Sequence, residues 1–350
     1  MGFAEWSTSI QIPTIYLTIC LTIPSMALYI AEIVTIVRHK KFHNSFYALF
    51  VMRAIPDLLY VLTSFYCQRL PSIIGAVLYP IYSQFPDWMF AMGMFFTEHT
   101  FQANNLVTAF ILLNRLTTII MPIKHEMLWK KFLPFITIFV YGVPTFFCWP
   151  AFKMHGFIQL NDPNSTTDRN FAMSGDALHF SYIVYINTVS SAIFTILCVL
   201  INIATFLAYK FHVKKVVGNG NNVQNIELKL FIYALSTFLG HALVASLFLI
   251  TAITNIGDTK TTTFLYIYYP LIMDTGTVVL SSWLLLWASG TFRQQLIKDF
   301  SIIRKTNIQN IRVDAMEGPQ NNNHRPVRGA VGPQLQTRFI SCVQQLPTIS

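Results

Sequence analysis

Charged residues are scarce in this chain. Asp, Glu, Lys and Arg make up only 11% of its 350 residues, whereas apolar residues make up 53% and the mean hydropathy is +0.49. A soluble domain carries about 25% charged residues, so the water-facing surface of a protein this long could not be covered with so few. The composition excludes an ordinary soluble protein and predicts a membrane protein.

Cysteine is also sparse. The five cysteines form neither a paired extracellular framework nor a CxxC metal spacing, which excludes a disulfide scaffold and a zinc domain. Cys67 and Cys148 both lie toward the predicted outer side, where they either pair or stay free thiols. No GxSxG motif occurs, and the His and Asp residues within apolar runs are too dispersed for a metal site. We therefore expect no enzymatic activity, no metal and no cofactor.

The basic residues do not form a surface of their own. Lys and Arg number 24 against 15 Asp and Glu, a net charge of +9, but they cluster between apolar runs, which argues against nucleic acid as a partner. No Lys or Arg precedes the first apolar run, a pattern that does not fit a cleaved signal peptide. Residues 1–11 are therefore predicted to be an extracellular N-terminus.

Long apolar runs dominate what is present. A helix needs about 20 apolar residues to cross a bilayer. Prolines interrupt an eighth stretch, 71–85, which we interpret as a loop at the interface. The predicted fold is all-α, a polytopic membrane protein with a seven-transmembrane helix bundle over 12–288. Its predicted spans are 12–37, 46–66, 93–121, 132–152, 180–209, 229–253 and 263–288.

The positions of the cations set the direction of the spans, because Lys and Arg near span ends stay on the cytoplasmic side. With the N-terminus outside, 19 cations lie in inner segments and 4 in outer ones, and Arg53 lies within a span. An eight-span topology would place 17 outside and 6 inside, so the charge rule rejects it. The one glycosylation sequon, at Asn164, then falls in an outer loop.

The chain changes character after the last span. Residues 290–306 alternate apolar and basic residues at helical spacing, which predicts a short amphipathic helix on the inner leaflet. From 307 to 350 the composition turns to Asn, Gln, Pro, Gly and Arg, which is typical of a disordered cytoplasmic tail.

Ionisable and amide side chains within spans are costly, so each is a candidate for binding or for pairing. Glu98, Gln102 and Asn105 share one stripe of the third span, and this stripe predicts the wall of a cavity open to the outside. The same groups also suit hydrogen bonds that hold the helices together. The predicted ligand-binding residues are Glu98, His99, Gln102, Asn105, His241 and Asp274.

A second set suits a structural role. Arg53 and Asp57 stand one turn apart on the second span, and Glu32 lies at a similar depth on the first, so we expect a structural ion pair among the three. The functional alternative is that Asp57 and Asp274 approach one another and share a proton or a cation.

The inner end of the third span carries Asn114 and Arg115. Arg115 lies about 25 Å along the helix from Glu98, so one helix connects the predicted cavity with the cytoplasmic face. We interpret Asn114 and Arg115 as a signalling switch. The alternative is an arginine that reaches for lipid phosphates.

The local sequence resembles a known family. The motifs that carry the resemblance are Ser45–Phe50, Ala54–Asp57, Gln68–Pro71, and Leu113–Thr117 with the following Pro122 and Trp129. They are similar to the nematode serpentine receptor class gamma (Srg) chemoreceptors, and the similarity covers about residues 10–305. The resemblance implies a G-protein-coupled-type chemosensory receptor of the plasma membrane, often in sensory-neuron cilia. Rhodopsin-like features are absent: the chain has no cysteine at the start of the third span and no NPxxY motif in the seventh.

The first hypothesis is a receptor that binds a small molecule or peptide outside and signals to a heterotrimeric G protein by helix rearrangement. Its basic inner loops would meet an acidic partner surface, and the predicted G-protein-facing residues are Lys124, Lys130, Lys131, Lys214 and Lys215. The alternative is a ligand-gated channel or transporter subunit, although an odd span count without an internal repeat argues against inverted-repeat carriers. The sequence leaves the oligomeric state open.

Overall fold

The computed structural model describes residues 3–160, 171–216, 221–253 and 271–301. Several sequence expectations lie outside these residues: the sequon at Asn164, the start of the seventh span, the end of the amphipathic helix, and the tail 307–350. Within the described residues, the structure consists of helices and one two-stranded hairpin.

Long helices make up the bundle. Within the described residues, six helices are long and apolar enough to cross a membrane, and a seventh has a shorter apolar stretch, Phe231–Leu247. This mostly helical chain of six to seven membrane-spanning helices confirms the fold class. The helices are α1 Phe3–Arg38, α2 Ser45–Ser64, α3 Leu70–Tyr82, α4 Asp87–Ile120, α5 His125–Cys148, α6 Ala177–Val216, α7 Asn221–Ile253, α8 Leu271–Ala288 and α9 290–301.

The stretch 71–85 is mostly helix, so the interfacial loop predicted there is wrong. A π-helical turn, Phe65–Arg69, joins α2 to α3 without a break. The π-helical turn before Pro71 and a local kink at Ile74 after it carry the helix past this proline, which has no N–H to donate. The helix ends at Tyr82, and Pro86, whose backbone is extended, directly precedes α4. Prolines alone therefore did not mark the end of the second helix.

A hairpin follows α5. Strands β1 Gly156–Leu160 and β2 Phe171–Gly175 pair antiparallel, with Gly156 opposite Gly175. The hairpin packs on α3 and α4, where Phe171 is fully buried against Tyr82. A Cβ atom at Gly156 would lie 2.3 Å from the Cβ of Phe90, so only glycine allows this contact. We call this end of the bundle the outer end, in keeping with the predicted orientation.

Helix α9 packs at the opposite, inner end. Phe292 is fully buried, with its ring centroid 5.1 Å from that of Phe42 and 5.7 Å from that of Tyr47. Ile297 and Phe300, in contrast, are 60% and 49% exposed. The described part of the predicted amphipathic helix thus has one face on the bundle and one apolar face free for lipid.

Polar contacts also hold α9. His39 Nε2 lies 2.9 Å from Asp299 Oδ2, and Gln295 donates a hydrogen bond of 2.9 Å to Asp299 Oδ1. Burial would raise the pKa of Asp299, but the hydrogen bonds from Gln295 and His39 outweigh it, so the pKa lies below its ordinary value.

Candidate functional site

The buried polar side chains of the bundle form separate clusters rather than one cavity. One lies at the outer end between α4 and α6, a second lies at the centre between α1, α2 and α7, and a third joins α1 and α8 to the π-helical turn. The residues predicted to share a ligand cavity do not lie together. Glu98 and Gln102 lie in the outer cluster, His241 in the central one and Asp274 in the third. His99 and Asn105 lie in none of the three.

The outer cluster is built on Glu98. Asn187 of α6 donates through Nδ2 to Glu98 Oε2. Gln102 lies one turn below and donates through Nε2 to Asn187 Oδ1 and to Ser190 Oγ, at 2.7 Å each. Gln102 thereby fixes the orientation of the Asn187 amide, because its donor occupies the oxygen and leaves the nitrogen facing Glu98. The chain of donors ends on the Glu98 carboxylate.

A small cavity borders this cluster, and we call it the Glu98 pocket. Glu98 itself is nine-tenths buried, and no ion pair to it occurs among the described residues. Three helices supply the walls: α4, the end of α5 with the turn that follows, and the start of α6. The lining residues are Glu98, Phe147, Cys148, Ala151, Tyr182, Ile186 and Asn187.

His99 faces a different helix from Glu98. Its Nε2 lies 3.1 Å from the Tyr141 carbonyl oxygen and 3.1 Å from Thr145 Oγ1, both on α5, and its ring stacks on Tyr141. Asn105 is 3% exposed, and in the described part of the chain its amide has no hydrogen-bond partner. The stripe therefore brings Glu98 and Gln102 together, while His99 joins helices on the other side.

The central cluster contains the expected ion pair and one residue assigned elsewhere. Arg53 Nε lies 3.5 Å from Asp57 Oδ2, and Tyr29 donates to the same oxygen at 2.9 Å. Arg53 also donates to His241 Nε2 at 3.0 Å. Because arginine only donates, His241 accepts and is the neutral imidazole with its proton on Nδ1. His241 thus pairs with Arg53 rather than facing the Glu98 pocket.

Glu32 does not join this ion pair, so that part of the expectation is corrected. Its side chain is fully buried, and neither carboxylate oxygen has a hydrogen-bond partner among the described residues. Similar depth along two helices did not bring Glu32 to Arg53, because the two side chains also need to face each other. In place of Glu32, Tyr29 supplies the contact from α1.

The third cluster holds Asp274. Arg69, at the end of the π-helical turn, donates to Asp274 Oδ2, and Thr22 of α1 donates to the same oxygen at 2.8 Å. Both charged side chains are nearly fully buried. Each aspartate therefore has its own arginine, and the alternative in which Asp57 and Asp274 share a proton does not describe this structure. Arg69 is one of the four cations of the predicted outer segments, but its side chain lies inside the bundle.

The inner end of α4 is tied to neighbouring segments. Asn114 donates from Nδ2 to Ser45 Oγ at 3.0 Å and lies 3.1 Å from His125 Nε2. The Arg115 guanidinium lies over the ring of Phe46, 4.0 Å from its centroid. Glu126 accepts from the Ser45 backbone N–H at 3.0 Å. These contacts join α4, α2 and α5 at one point.

The predicted G-protein-facing residues are described only in part. Lys124, Lys130 and Lys131 are exposed at the inner end, next to the cluster around Arg115. The side chains of Lys214 and Lys215, at the end of α6, lie outside the described residues.

Comparison with known proteins decides the family. The model of the Srg family chemoreceptors matches residues 15–296, most of the chain. The chain belongs to the Srg chemoreceptor family. This Srg protein is therefore a multi-pass membrane protein of a receptor family, as the motifs around Ser45, Asp57 and Arg115 indicated.

Two curated relatives come from Caenorhabditis elegans. Serpentine receptor class gamma-5 is 22% identical over 116 residues, which cover 32% of this chain and 36% of the relative. Serpentine receptor class gamma-14 is 30% identical over 108 residues, which cover 30% of this chain and 32% of the relative. The Srg protein thus spans about a third of the length of the curated relatives it matches.

Sequence reasoning missed several partners in these clusters. Asn187 and Ser190 lie in a mostly apolar helix, and only the excess of polar residues over 187–191 hinted at a facing partner. Arg69 follows an apolar run and is hard to distinguish from an interfacial cation by sequence. Within the described residues, no group of three or more His, Cys, Asp and Glu side chains is placed to hold a metal.

Proposed function

We propose that this Srg protein is a plasma-membrane chemosensory receptor with its N-terminus outside. An external small molecule binds in the Glu98 pocket, and a helix rearrangement passes the signal to a heterotrimeric G protein inside. The pocket is small and lies between three helices, which favours a small molecule over a peptide.

One observation carries the proposal: a single helix joins the pocket to the inner polar cluster. Helix α4 runs from Asp87 to Ile120, with Glu98 in its outer third and Arg115 at its inner end. At 1.5 Å per residue these two residues are about 25 Å apart along the axis. A small tilt or rotation of α4 at the pocket therefore moves Arg115 as well.

The inner cluster suits a switch with two arrangements. The ties of Asn114 and Arg115 to Ser45, His125 and Phe46 hold α4 against α2 and α5. A ligand that binds the rearranged bundle better shifts the population toward it, by as much as its difference in affinity for the two states. Movement of Arg115 away from Phe46 would then shift a cation relative to the exposed lysines at the inner end.

The experiment measures nucleotide exchange. Cells that express the chain with a calcium reporter are screened with a library of small water-soluble and volatile compounds. The strongest agonist found is then added to purified protein and a G protein in nanodiscs, where we expect faster nucleotide exchange. Agonist-evoked current in a bilayer without G protein would instead identify a ligand-gated channel.

Two variants locate the switch. Arg115→Ala should abolish exchange while it leaves surface expression largely intact. Arg38→Ala is the matched control, because Arg38 is an exposed arginine at the inner end of α1 and should leave exchange unchanged. Equal loss of exchange and expression in the Arg115 variant would assign that residue to folding.

A further inference from the structure

We infer that the ligand of the Glu98 pocket carries a protonated amine, an inference that rests on the proposed function and names its ligand class. The inference comes from the direction of the hydrogen bonds, the absence of a counter-charge among the described residues, and the nature of the pocket walls.

The hydrogen bonds leave Glu98 as an acceptor with room for another donor. Its Oε2 accepts one hydrogen bond, from Asn187, and Asn187 is held in that orientation by Gln102. The carboxylate lines the cavity, so its remaining acceptor capacity is accessible from the pocket. A carboxylate has about four acceptor sites, so the ionised Glu98 offers acceptors to a ligand that donates.

The local charges favour a cationic donor over a neutral one. In the described part of the chain, Asp57 and Asp274 each have an arginine, Arg53 and Arg69. Glu98 has no such cation in the described residues and is nine-tenths buried. Glu32 has no such partner either, but it does not line the Glu98 pocket. A buried carboxylate without a counter-ion is costly, and an ammonium group offsets that cost through charge and hydrogen bonds together.

The walls of the pocket suit the rest of such a molecule. Phe147 and Tyr182 supply aromatic faces, which attract cations, and Ile186 and Ala151 supply apolar surface. The space between these walls is small, so the fitting ligands are small amines with a compact apolar body.

Thermal stability of the purified chain in nanodiscs tests the ligand class without any need for signalling. The probes are 2-phenylethylamine and cyclohexylamine at pH 7. The controls for 2-phenylethylamine are 2-phenylethanol and phenylacetate, and those for cyclohexylamine are cyclohexanol and cyclohexanecarboxylate. At tenfold above Kd, an amine that fits should raise Tm by about 3–5 °C, and the alcohols and acids should raise it far less.

Two variants assign the effect to the pocket. Glu98→Gln keeps the shape and removes the charge, and it should abolish the amine-specific rise in Tm. Asp87→Asn removes an exposed carboxylate at the start of the same helix and should leave the rise unchanged. Gel filtration of both variants checks that they fold.

The possible results separate cleanly. Three results would overturn the ligand class. The amines raise Tm no more than their alcohols or acids, the amines leave Tm unchanged, or the rise in Tm survives Glu98→Gln. A rise that depends on Glu98, in a chain that stimulates no nucleotide exchange, keeps the amine site and overturns the proposed coupling to a G protein instead. Nucleotide exchange driven by a non-amine agonist, without an amine-specific rise in Tm, keeps the proposed coupling to a G protein and overturns the amine class.

Discussion

Removal of the Asp274 carboxylate should destabilise the bundle strongly. Asp274→Ala leaves the Arg69 guanidinium buried at 2% exposure without its counter-ion. Loss of one partner of a buried pair costs about 3–5 kcal/mol, because the remaining charge is uncompensated. An ordinary hydrogen bond between membrane helices contributes only about 0.6 kcal/mol. The size of the loss therefore distinguishes a buried ion pair from a simple polar contact.

A double variant completes the test. Arg69→Met with Asp274→Leu removes both charges and keeps apolar volume, so we expect stability within about 1 kcal/mol of the wild type. Thr22→Val is the matched control, because it removes only the hydroxyl donor to the same carboxylate and should cost about 1 kcal/mol.

The cysteines supply the assay. Cys67, Cys148 and Cys198 are buried free thiols, so with Cys20 and Cys342 replaced by serine a thiol-reactive dye labels the chain only as the bundle opens on heating. At about 2–4 °C per kcal/mol, Asp274→Ala should lower Tm by roughly 10 °C, and the double variant should recover most of it. Equal Tm values for the single and double variants, or a loss no larger than that of Thr22→Val, would refute the ion-pair argument.

Two further predictions concern packing and the inner helix. Gly240→Ala should lower the free energy of unfolding by about 1–3 kcal/mol, because the added Cβ would lie 2.8 Å from a backbone atom of α8. At Gly142 an added Cβ would have nothing within 4 Å, so Gly142→Ala should be neutral. Thermal unfolding measures both variants. Asp299→Asn should speed amide hydrogen exchange of α9 at neutral pH, because it removes the carboxylate beside His39. The pKa of Asp299 is lowered in the folded state, so the carboxylate stabilises α9 above the ordinary carboxyl pKa, and this stabilisation is lost as the pH falls below about 4. Exchange of α9 that is unchanged by Asp299→Asn at neutral pH, or unchanged in the wild type on acidification, would contradict this account.

The helical class of the bundle could be predicted from the sequence because lipid leaves few choices. A backbone in hydrocarbon must satisfy its own hydrogen bonds, so an apolar run of about 20 residues implies a helix. Helix ends were harder. The π-helical turn at Phe65–Arg69 carries the second helix on to Tyr82, and a count of prolines does not reveal such a turn.

Side-chain partners were the least predictable feature, because they depend on the rotation of each helix about its axis. The spacing of Glu98 and Gln102 on one helix predicted a shared stripe, and the structure places both on Asn187. The pairing of Arg53 with Asp57 followed from one turn of the same helix. Contacts between helices, such as Arg69 with Asp274, depend on rotation and tilt that no pattern in a single sequence fixes.

The difference between the clusters separates binding from structural roles. The charged pairs of Arg53 with Asp57 and Arg69 with Asp274 are closed: both members are nearly fully buried, and each charge has its partner. A ligand that approached either pair would have to break an ion pair before it gained a contact. At Glu98 a carboxylate borders an open cavity, and its donors come from neutral amides. A cation that enters there gains an ionic contact and breaks none. Glu32 also lacks a partner among the described residues, but it does not line the Glu98 pocket, and for this reason we propose Glu98 rather than Glu32 as the binding site.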